Sequence, residues 1–256
     1  MLSAATMGRV LIAFSALAIA LFFALVDPVP QDPAYHDFAD ARLMLGVPNF
    51  WNVMTNLPFL LVGTYGLVLV ARNPGAIGDP DLRWPWIVFF AGITLTAFGS
   101  GWFHLEPSNS SLVWDRLPMT LGFAGLFAIV IGEYLSPRVA RNLLVPFLVA
   151  GAASVFYWHM TESAGSGDLR PYAIVQFLPV VLIPALLIVR RNASDLTGAF
   201  WLLTLFYIAA KLLEQFDYGV YDSLRVMSGH ALKHVAAAFS PAVLIYALHR
   251  RLTDVP

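Results

Sequence analysis

Eight long apolar segments, separated by short polar loops, make up most of the chain. Their ranges are 7–26, 50–71, 84–104, 117–135, 139–159, 171–189, 196–213 and 229–249. Each approaches the ~20 apolar residues that a helix needs to cross the hydrocarbon core of a bilayer. The segments are too continuous for the strands of a membrane β-barrel, which alternate over ~10 residues. The pattern therefore predicts an all-α fold, a polytopic transmembrane helical bundle.

The first segment has two interpretations, an uncleaved anchor or a cleaved signal peptide that would leave seven spans. Its N-terminal flank carries only Arg9 as a basic residue, and no clear A-x-A cleavage site follows it. These features favour an uncleaved anchor and eight spans.

Composition agrees with a membrane protein and narrows its chemistry. The chain is 59% hydrophobic and 12% charged, whereas a soluble domain is about 25% charged. A net charge of −1 without a basic run argues against nucleic acid as a partner, and no protein partner is predicted. The absence of cysteine excludes disulfides and thiolate metal sites. Any metal would be held by His, Asp, Glu or carbonyl oxygen.

The distribution of charge among the loops predicts an orientation. Loops on one side carry nine Lys/Arg and five Asp/Glu, and those on the other side carry six and eleven. The arginine pairs at 190–191 and 250–251 belong to the first side, which the positive-inside rule places in the cytoplasm. Both termini then lie in the cytoplasm. The abundance of Ala, Gly and Pro favours a bacterial chain, and hence a bacterial inner membrane.

Two stretches place chemically active side chains on the non-cytoplasmic side. "TAFGSGWFHLEPSNSSLVWDRLPM" contains Ser100, His104 and Asp115, and "MSGHALKHVAAAF" contains His230 and His234 at i and i+4. Two histidines on one helix face and a third from another helix can bind one cation. Three imidazoles leave one tetrahedral position open, as in catalytic zinc sites. A water there would ionise near neutral pH, a carboxylate can accept its proton, and a hydroxyl can stabilise an oxyanion.

Each of these residues also has a purely structural interpretation. Ser100 could bond to its own helix, and Asp115 could be the N-cap of the span that follows it. We interpret the other histidines, His36, His159 and His249, as interfacial hydrogen-bonding residues. Polar and ionisable groups gathered at one depth in a membrane protein nevertheless favour a functional site.

The same motifs resemble those of the alkaline ceramidase family, within the seven-transmembrane hydrolase superfamily that also contains the adiponectin receptors. The spacing of Ser100, His104 and Asp115 and the late "HALKH" match the ceramidase pattern. "FWNVMTN" resembles the W-N-x-x-S-N start of the first core helix of the family. The resemblance covers about residues 37–250 and leaves out the first span.

The resemblance implies a seven-helix core plus one extra N-terminal helix, with a role for each motif residue. Residues 1–34 would form an N-terminal transmembrane anchor and linker, and 35–256 the seven-helix ceramidase-like domain. The zinc ligands would be His104, His230 and His234. Asp115 would orient or deprotonate the metal-bound water, and Ser100 would stabilise the oxyanion.

The family also binds calcium through an acidic segment before the first core helix. The corresponding segment of this chain departs from that pattern. Asp37 and Asp40 match acidic positions, but Arg42 falls where the family has asparagine, and Asn49 where it has glutamate. A cation and a lost carboxylate disfavour calcium, which takes six or more oxygen ligands. We expect either a calcium site or a structural acidic site at Asp37, Asp40 and Asn49. In the second case Arg42 would pair with Asp37 or Asp40.

The expected function is zinc-dependent amide hydrolysis of ceramide or a ceramide-like lipid in sphingolipid metabolism, giving a long-chain base and a fatty acid. Alternatives are hydrolysis of another lipid amide or a phospholipid ester, and a receptor-like zinc protein with little turnover. A transporter is disfavoured because no paired broken helices are evident at mid-membrane.

Overall fold

A computed structural model describes residues 3–253 of the protein. Its helices are α1 (Ala4–Leu25), α2 (Phe50–Met54), α3 (Leu57–Arg72), α4 (Arg83–Leu105), α5 (Asn109–Tyr134), α6 (Pro137–Ser163), α7 (Arg170–Val189), α8 (Thr197–Gln215), α9 (Asp217–Leu224) and α10 (Gly229–Thr253). Within this described part, eight spans are long and apolar enough to cross a membrane, α2 and α3 together forming one. The prediction of an all-α transmembrane bundle is confirmed.

The outer surface of the bundle is apolar where a bilayer would surround it. Ile12, Leu61, Val145 and Ile188 are 64–72% exposed. Large apolar side chains at such exposure mark a surface that is not in contact with water. The surface agrees with a multi-pass membrane protein.

Helix α5 begins eight residues before its predicted start at 117. The Ser108 hydroxyl accepts a hydrogen bond from the backbone N–H of Ser111 at 3.1 Å, and the Ser111 hydroxyl accepts one from the Ser108 N–H, also at 3.1 Å. This capping box starts the helix at Asn109. Asp115 and Arg116 are therefore buried inside the helix, and the interpretation of Asp115 as an N-cap is wrong. Hydropathy missed the first eight residues of α5, 109–116, because two charged residues lie among them.

The predicted span 50–71 is broken into α2 and α3 at Thr55 and Asn56. Pro58, the second residue of α3, lacks an N–H, and its ring would clash with a helical carbonyl four residues earlier. The break turns the Thr55 hydroxyl toward the interior of the bundle.

Helices α4 and α5 approach each other closely along small residues. A Cβ on Gly99 would overlap the carbonyl oxygen of Trp114, and Gly92 lies directly against Gly122. Because Gly99 precedes Ser100 and Trp114 precedes Asp115, the same close approach brings these two functional candidates together.

The two ends of the bundle differ in chemistry. Helix α10 begins beside His230 and ends with Arg250 and Arg251. At the arginine end, the Arg251 guanidinium donates to both oxygens of Glu133 at 2.9 Å and also contacts Asp195. The main apolar core lies toward this end. The histidines are at the opposite end.

Helix α1 lies at the side of the bundle, where it contacts α7 and packs Met7 into the main apolar core. The segment after it is held by bonds from Arg170 Nη1 to Val26 O (2.7 Å), Leu169 N to Val29 O (2.8 Å) and Gln31 N to Glu162 Oε2 (2.9 Å). Arg170 is itself paired with Asp168 at 2.8 Å, and its guanidinium lowers the pKa of that carboxyl group. The segment therefore covers the ends of α6 and α7 that lie on the histidine side of the bundle.

Candidate metal centre and active site

Three histidine side chains meet at one end of the bundle. His104 lies in the last turn of α4, and His230 and His234 lie in the first two turns of α10. Each residue is at most 5% exposed. One ring nitrogen of each histidine lies within 4.8 Å of the others. The fold thus gathers the three residues that the sequence predicts as ligands, two of which are 130 positions apart.

The spacing and the unpaired nitrogens of the histidines fit a metal ion. Nε2 of His104 lies 3.3 Å from Nε2 of His234. Two tetrahedral ligands at the usual Zn–N distance are about 3.3 Å apart. Nε2 of His230 and Nδ1 of His104 are buried without a hydrogen-bond partner. A buried polar atom without a partner is costly, and a metal ion at this site would engage Nε2 of His230.

Thr55 orients one of these histidines and is a residue that the sequence analysis missed. Its hydroxyl donates a hydrogen bond to the Trp51 carbonyl at 2.6 Å, so its lone pair is left to accept one from Nδ1–H of His234 at 3.0 Å. A proton on Nδ1 leaves the lone pair of Nε2 free for a metal. The position of Thr55 in "FWNVMTN" was the available signal, since this motif begins the first core span.

The Thr55→Val variant should bind zinc about 10- to 100-fold more weakly, the usual effect of losing a hydrogen bond that orients a metal ligand. Valine keeps the shape of the side chain and removes the hydroxyl. Zinc affinity is measured by competition with a chromogenic chelator. The Thr55→Ser variant keeps the hydroxyl and should bind zinc as the wild type does. Equal affinity of the valine and wild-type proteins would contradict this role for Thr55.

Asp217 and Phe38 hold the other two histidines in place. The Asp217 carboxylate accepts hydrogen bonds from the backbone N–H of His230 at 2.6 Å and from that of Ala39 at 3.0 Å. The ring of Phe38 packs edge-on against His104 and His230, with centroids 4.7 and 4.9 Å away. The segment around Phe38 therefore covers the histidines on their outer side. Only the fold reveals this contact, because Asp217 follows α8 without a recognisable motif.

Ser100 and Asp115 line a cavity of about 480 Å³ together with His234. The Ser100 hydroxyl lies beside the Asp115 carboxyl group. Oδ1 of Asp115 is buried without a partner. The site therefore places a carboxyl group and a hydroxyl group beside the three histidines.

The cavity has one polar end and one apolar end. Away from the histidines it is lined by Phe89, Ile93, Phe123, Leu126 and Leu203. At the polar end, Tyr35 reaches the cavity from the segment after α1. Burial and the nearby Glu214 carboxylate raise the pKa of the Tyr35 phenol, so this group stays protonated. A narrow apolar space beside polar groups suits a lipid chain with a polar head.

The remaining histidines lie away from this centre. Nε2 of His36 bonds Oδ1 of Asn109 at 3.0 Å, and Nε2 of His249 bonds the Tyr65 hydroxyl at 2.7 Å. Both act as hydrogen-bonding residues, as expected. Nδ1 of His159 is buried without a partner, and its ring packs against Trp158.

Comparison with known families assigns the chain. A family model described as Ceramidase matches residues 43–249, most of the chain. The chain belongs to the ceramidase family. This membership supports a hydrolase that acts on amide bonds and takes a lipid substrate. Searches of curated proteins and of solved structures found no match.

The calcium site that the ceramidase resemblance implies does not fit the residues of this chain. Both carboxylate oxygens of Asp40 accept hydrogen bonds from the Arg42 guanidinium at 2.7 Å. The Asn49 amide donates to the His104 carbonyl at 2.8 Å, and Asp37 is exposed. Calcium needs six or more oxygen ligands, and here a guanidinium occupies the buried carboxylate instead.

Arg42 also ties this segment to the start of α10. Its Nη2 donates to the Val226 carbonyl at 2.6 Å, two residues before Ser228 at the N-terminal end of that helix. The guanidinium therefore links the segment that covers the histidines to the helix that carries two of them.

Added calcium chloride should leave the melting temperature of the wild type unchanged, whereas Arg42→Ala should lower it. The substitution leaves the carboxylate of Asp40, a residue only 1% exposed, buried and unpaired. As a control, Arg225→Ala removes an exposed pair with Asp222 and should change the melting temperature little. A rise in the melting temperature of the wild type on adding calcium would show that the segment binds the ion.

Proposed function

We propose that the protein is a membrane-embedded, zinc-dependent amidohydrolase that cleaves ceramide or a ceramide-like lipid to a long-chain base and a fatty acid. The observation that carries the proposal is the convergence of three buried histidines with Asp115 and Ser100 beside one lipid-sized cavity. An all-nitrogen donor set suits zinc. Membership of the ceramidase family supports the amide bond as the target.

His104, His230 and His234 would hold the ion. Zinc, when bound, supplies a Lewis acid that polarises a carbonyl group and lowers the pKa of a water molecule. The Asp115 carboxylate accepts a proton from the water that attacks the amide carbon. It then returns this proton to the nitrogen as the C–N bond breaks, so that fatty acid and amine leave.

Ser100 would act on the carbonyl oxygen of the amide. Its hydroxyl donates a hydrogen bond where negative charge develops as water adds to the carbon. The apolar end of the cavity holds an acyl chain, and its walls exclude bulk water from the reacting groups. Exclusion of water strengthens the electrostatic contribution of both side chains.

The same residues bear on the two alternative functions. A receptor-like protein that keeps zinc for stability has no use for a buried carboxylate with an unpaired oxygen, and Asp115 has one. Hydrolysis of another lipid amide or of a phospholipid ester would use the same groups.

Detergent-purified protein incubated with a panel of ceramides, other N-acyl lipids and phospholipid esters should release free fatty acid from the amides. Fatty acid is measured by mass spectrometry against protein treated with a zinc chelator. Release from esters alone would replace the amide assignment by an esterase. No release from any lipid, by protein that contains zinc, would favour the receptor-like alternative.

We also propose that the metal centre faces the non-cytoplasmic side of a bacterial inner membrane, with residues 1–34 as an uncleaved anchor and linker. The excess of arginines at the end opposite the histidines, where the last turn of α10 carries Arg250 and Arg251, supports this orientation. A green fluorescent reporter fused after Pro256, which lies outside the described residues, should fluoresce because it stays in the cytoplasm. An alkaline phosphatase fused at the same point should be inactive, and an active one would reverse the orientation.

A further inference from the structure

Arg116, a buried arginine of α5, reaches the cavity without a carboxylate partner. It is 5% exposed and lines the same cavity as Ser100, Asp115 and His234. Its Nη2 donates a hydrogen bond to Oε1 of Gln31 at 2.7 Å, whereas its Nη1 is buried with no partner. None of the ion pairs within residues 3–253 includes this arginine.

Aromatic rings hold the Arg116 guanidinium in a fixed plane. Its central carbon lies 4.1 Å from the ring centroid of Trp158, 4.8 Å from that of Tyr172 and 5.8 Å from that of Tyr35. Contacts with ring faces favour a cation and fix its orientation, but they supply no acceptor for the Nη1 group of Arg116. An unpaired donor of a buried cation is costly. The arrangement therefore fixes a hydrogen-bond donor in the cavity wall and leaves it without an acceptor.

The carboxylates of the cavity wall leave Arg116 without an anionic partner. Lys233 donates to Glu214 at 2.8 Å, and Lys211 contacts the same carboxylate, so two cations share one anion. Asp115 is the buried carboxylate of the wall, and Arg116 adds a third cation. With Asp32, the wall carries three cations and three carboxylates, and Arg116 is the cation that pairs with none of these carboxylates.

Asp32, the third acidic residue of this lining, does not pair with Arg116. It is exposed, and its carboxylate caps a turn by accepting a hydrogen bond from the Ala34 N–H at 2.9 Å.

We propose that Arg116 binds an anionic group, a carboxylate or a phosphate, that the lipid amide carries close to the bond that is cleaved. The inference rests on the proposed amidohydrolase function and selects acidic N-acyl lipids over neutral ceramide as its substrate class. Planar guanidinium groups donate well to both anions. Arg116 lines the same cavity as Asp115, so the anionic group and the amide occupy one cavity. The acyl chain then occupies the apolar end.

Matched lipid pairs test this substrate class with the zinc-loaded protein. N-palmitoylserine and N-palmitoylserinol differ by one carboxylate, and ceramide 1-phosphate and ceramide differ by one phosphate. The wild-type kcat/KM should be about 10- to 100-fold higher for the anionic member of one pair, the value of a charged hydrogen bond. The pair that shows the preference identifies the anion. The Arg116→Gln variant should lose most of this preference, and Arg116→Lys should keep part of it.

Arg170→Gln is the matched control. Arg170 lies at the same end of the bundle and is paired with Asp168, and it does not line the cavity. Its variant should show the same ratio between the members of each pair as the wild type. Because each ratio compares two lipids on one protein preparation, partial misfolding of a variant cancels out.

The outcomes separate this inference from the proposed function. Equal wild-type rates for both members of each pair, or an equal loss on both in Arg116→Gln, would show that Arg116 recognises no anionic group, while amide hydrolysis stands. Cleavage of no lipid would count against the proposed function instead. In that case binding decides: N-palmitoylserine should raise the wild-type melting temperature more than N-palmitoylserinol, and Arg116→Gln should remove the difference. No difference in the wild type would overturn the inference.

Discussion

The His234→Ala variant is expected to lose most of its zinc and at least about 10³-fold of its activity on lipid amides, because a catalytic metal contributes several kcal/mol to the transition state. His234 provides one of three buried ring nitrogens, and the remaining two cannot hold the ion tightly. Elemental analysis should find about one zinc per wild-type chain. The melting temperature should fall with zinc content, because an ion bound only to the folded state stabilises that state.

His249→Ala is the control for this experiment. His249 lies near the other end of α10, where its ring bonds the Tyr65 hydroxyl at 2.7 Å. Its replacement should leave the zinc content and the rate as they are in the wild type. Wild-type protein prepared without chelators that contains no zinc would refute the metal centre.

Asp115→Asn should keep zinc and reduce turnover by ~10²-fold or more, the usual scale of general acid–base catalysis. Asparagine preserves the size of the side chain and removes its charge and basicity. The Ser100→Ala variant should also keep zinc and lose ~10²–10³-fold in kcat, the typical effect of removing one oxyanion donor. Both losses should appear in kcat at unchanged zinc content and unchanged melting temperature.

Ser154→Ala is the matched control for the serine variant. Ser154 is buried, but its hydroxyl donates to the Gly151 carbonyl of its own helix at 2.7 Å. Its replacement should leave turnover unaffected. If the Asp115 and Ser100 variants hydrolyse lipid amide as fast as the wild type, both side chains are structural and the catalytic assignment fails.

The membrane explains why the fold could be predicted from hydropathy. In lipid every backbone polar group needs a hydrogen bond within its own helix, so a membrane-spanning helix can be recognised by its length and apolarity alone. The predicted segment 171–189 and the observed α7, Arg170–Val189, differ by one residue. Hydropathy failed where charge or proline intervened: α5 begins at Asn109, and Thr55 lies at a break that Pro58 imposes.

The candidate site was predictable for residues that share a motif. His230 and His234 are one turn apart on a single helix, and the alternation of loop charge placed them at the same end as His104. The sequence alone also determined that no thiolate could bind a metal. Each of these conclusions depends on local spacing, on composition or on the direction of a helix.

Only the tertiary structure decided which groups support and surround the histidines. The bond from His234 to Thr55 joins residues 179 positions apart. The bond from His230 to Asp217 joins the start of α10 to the start of α9. The sequence left Asp37 and Asp40 as alternative partners for Arg42, and the fold shows that Arg42 bonds Asp40. Whether Arg116 meets a carboxylate also depends on side chains from several helices. Long-range packing sets these distances, and no periodicity along one chain records it.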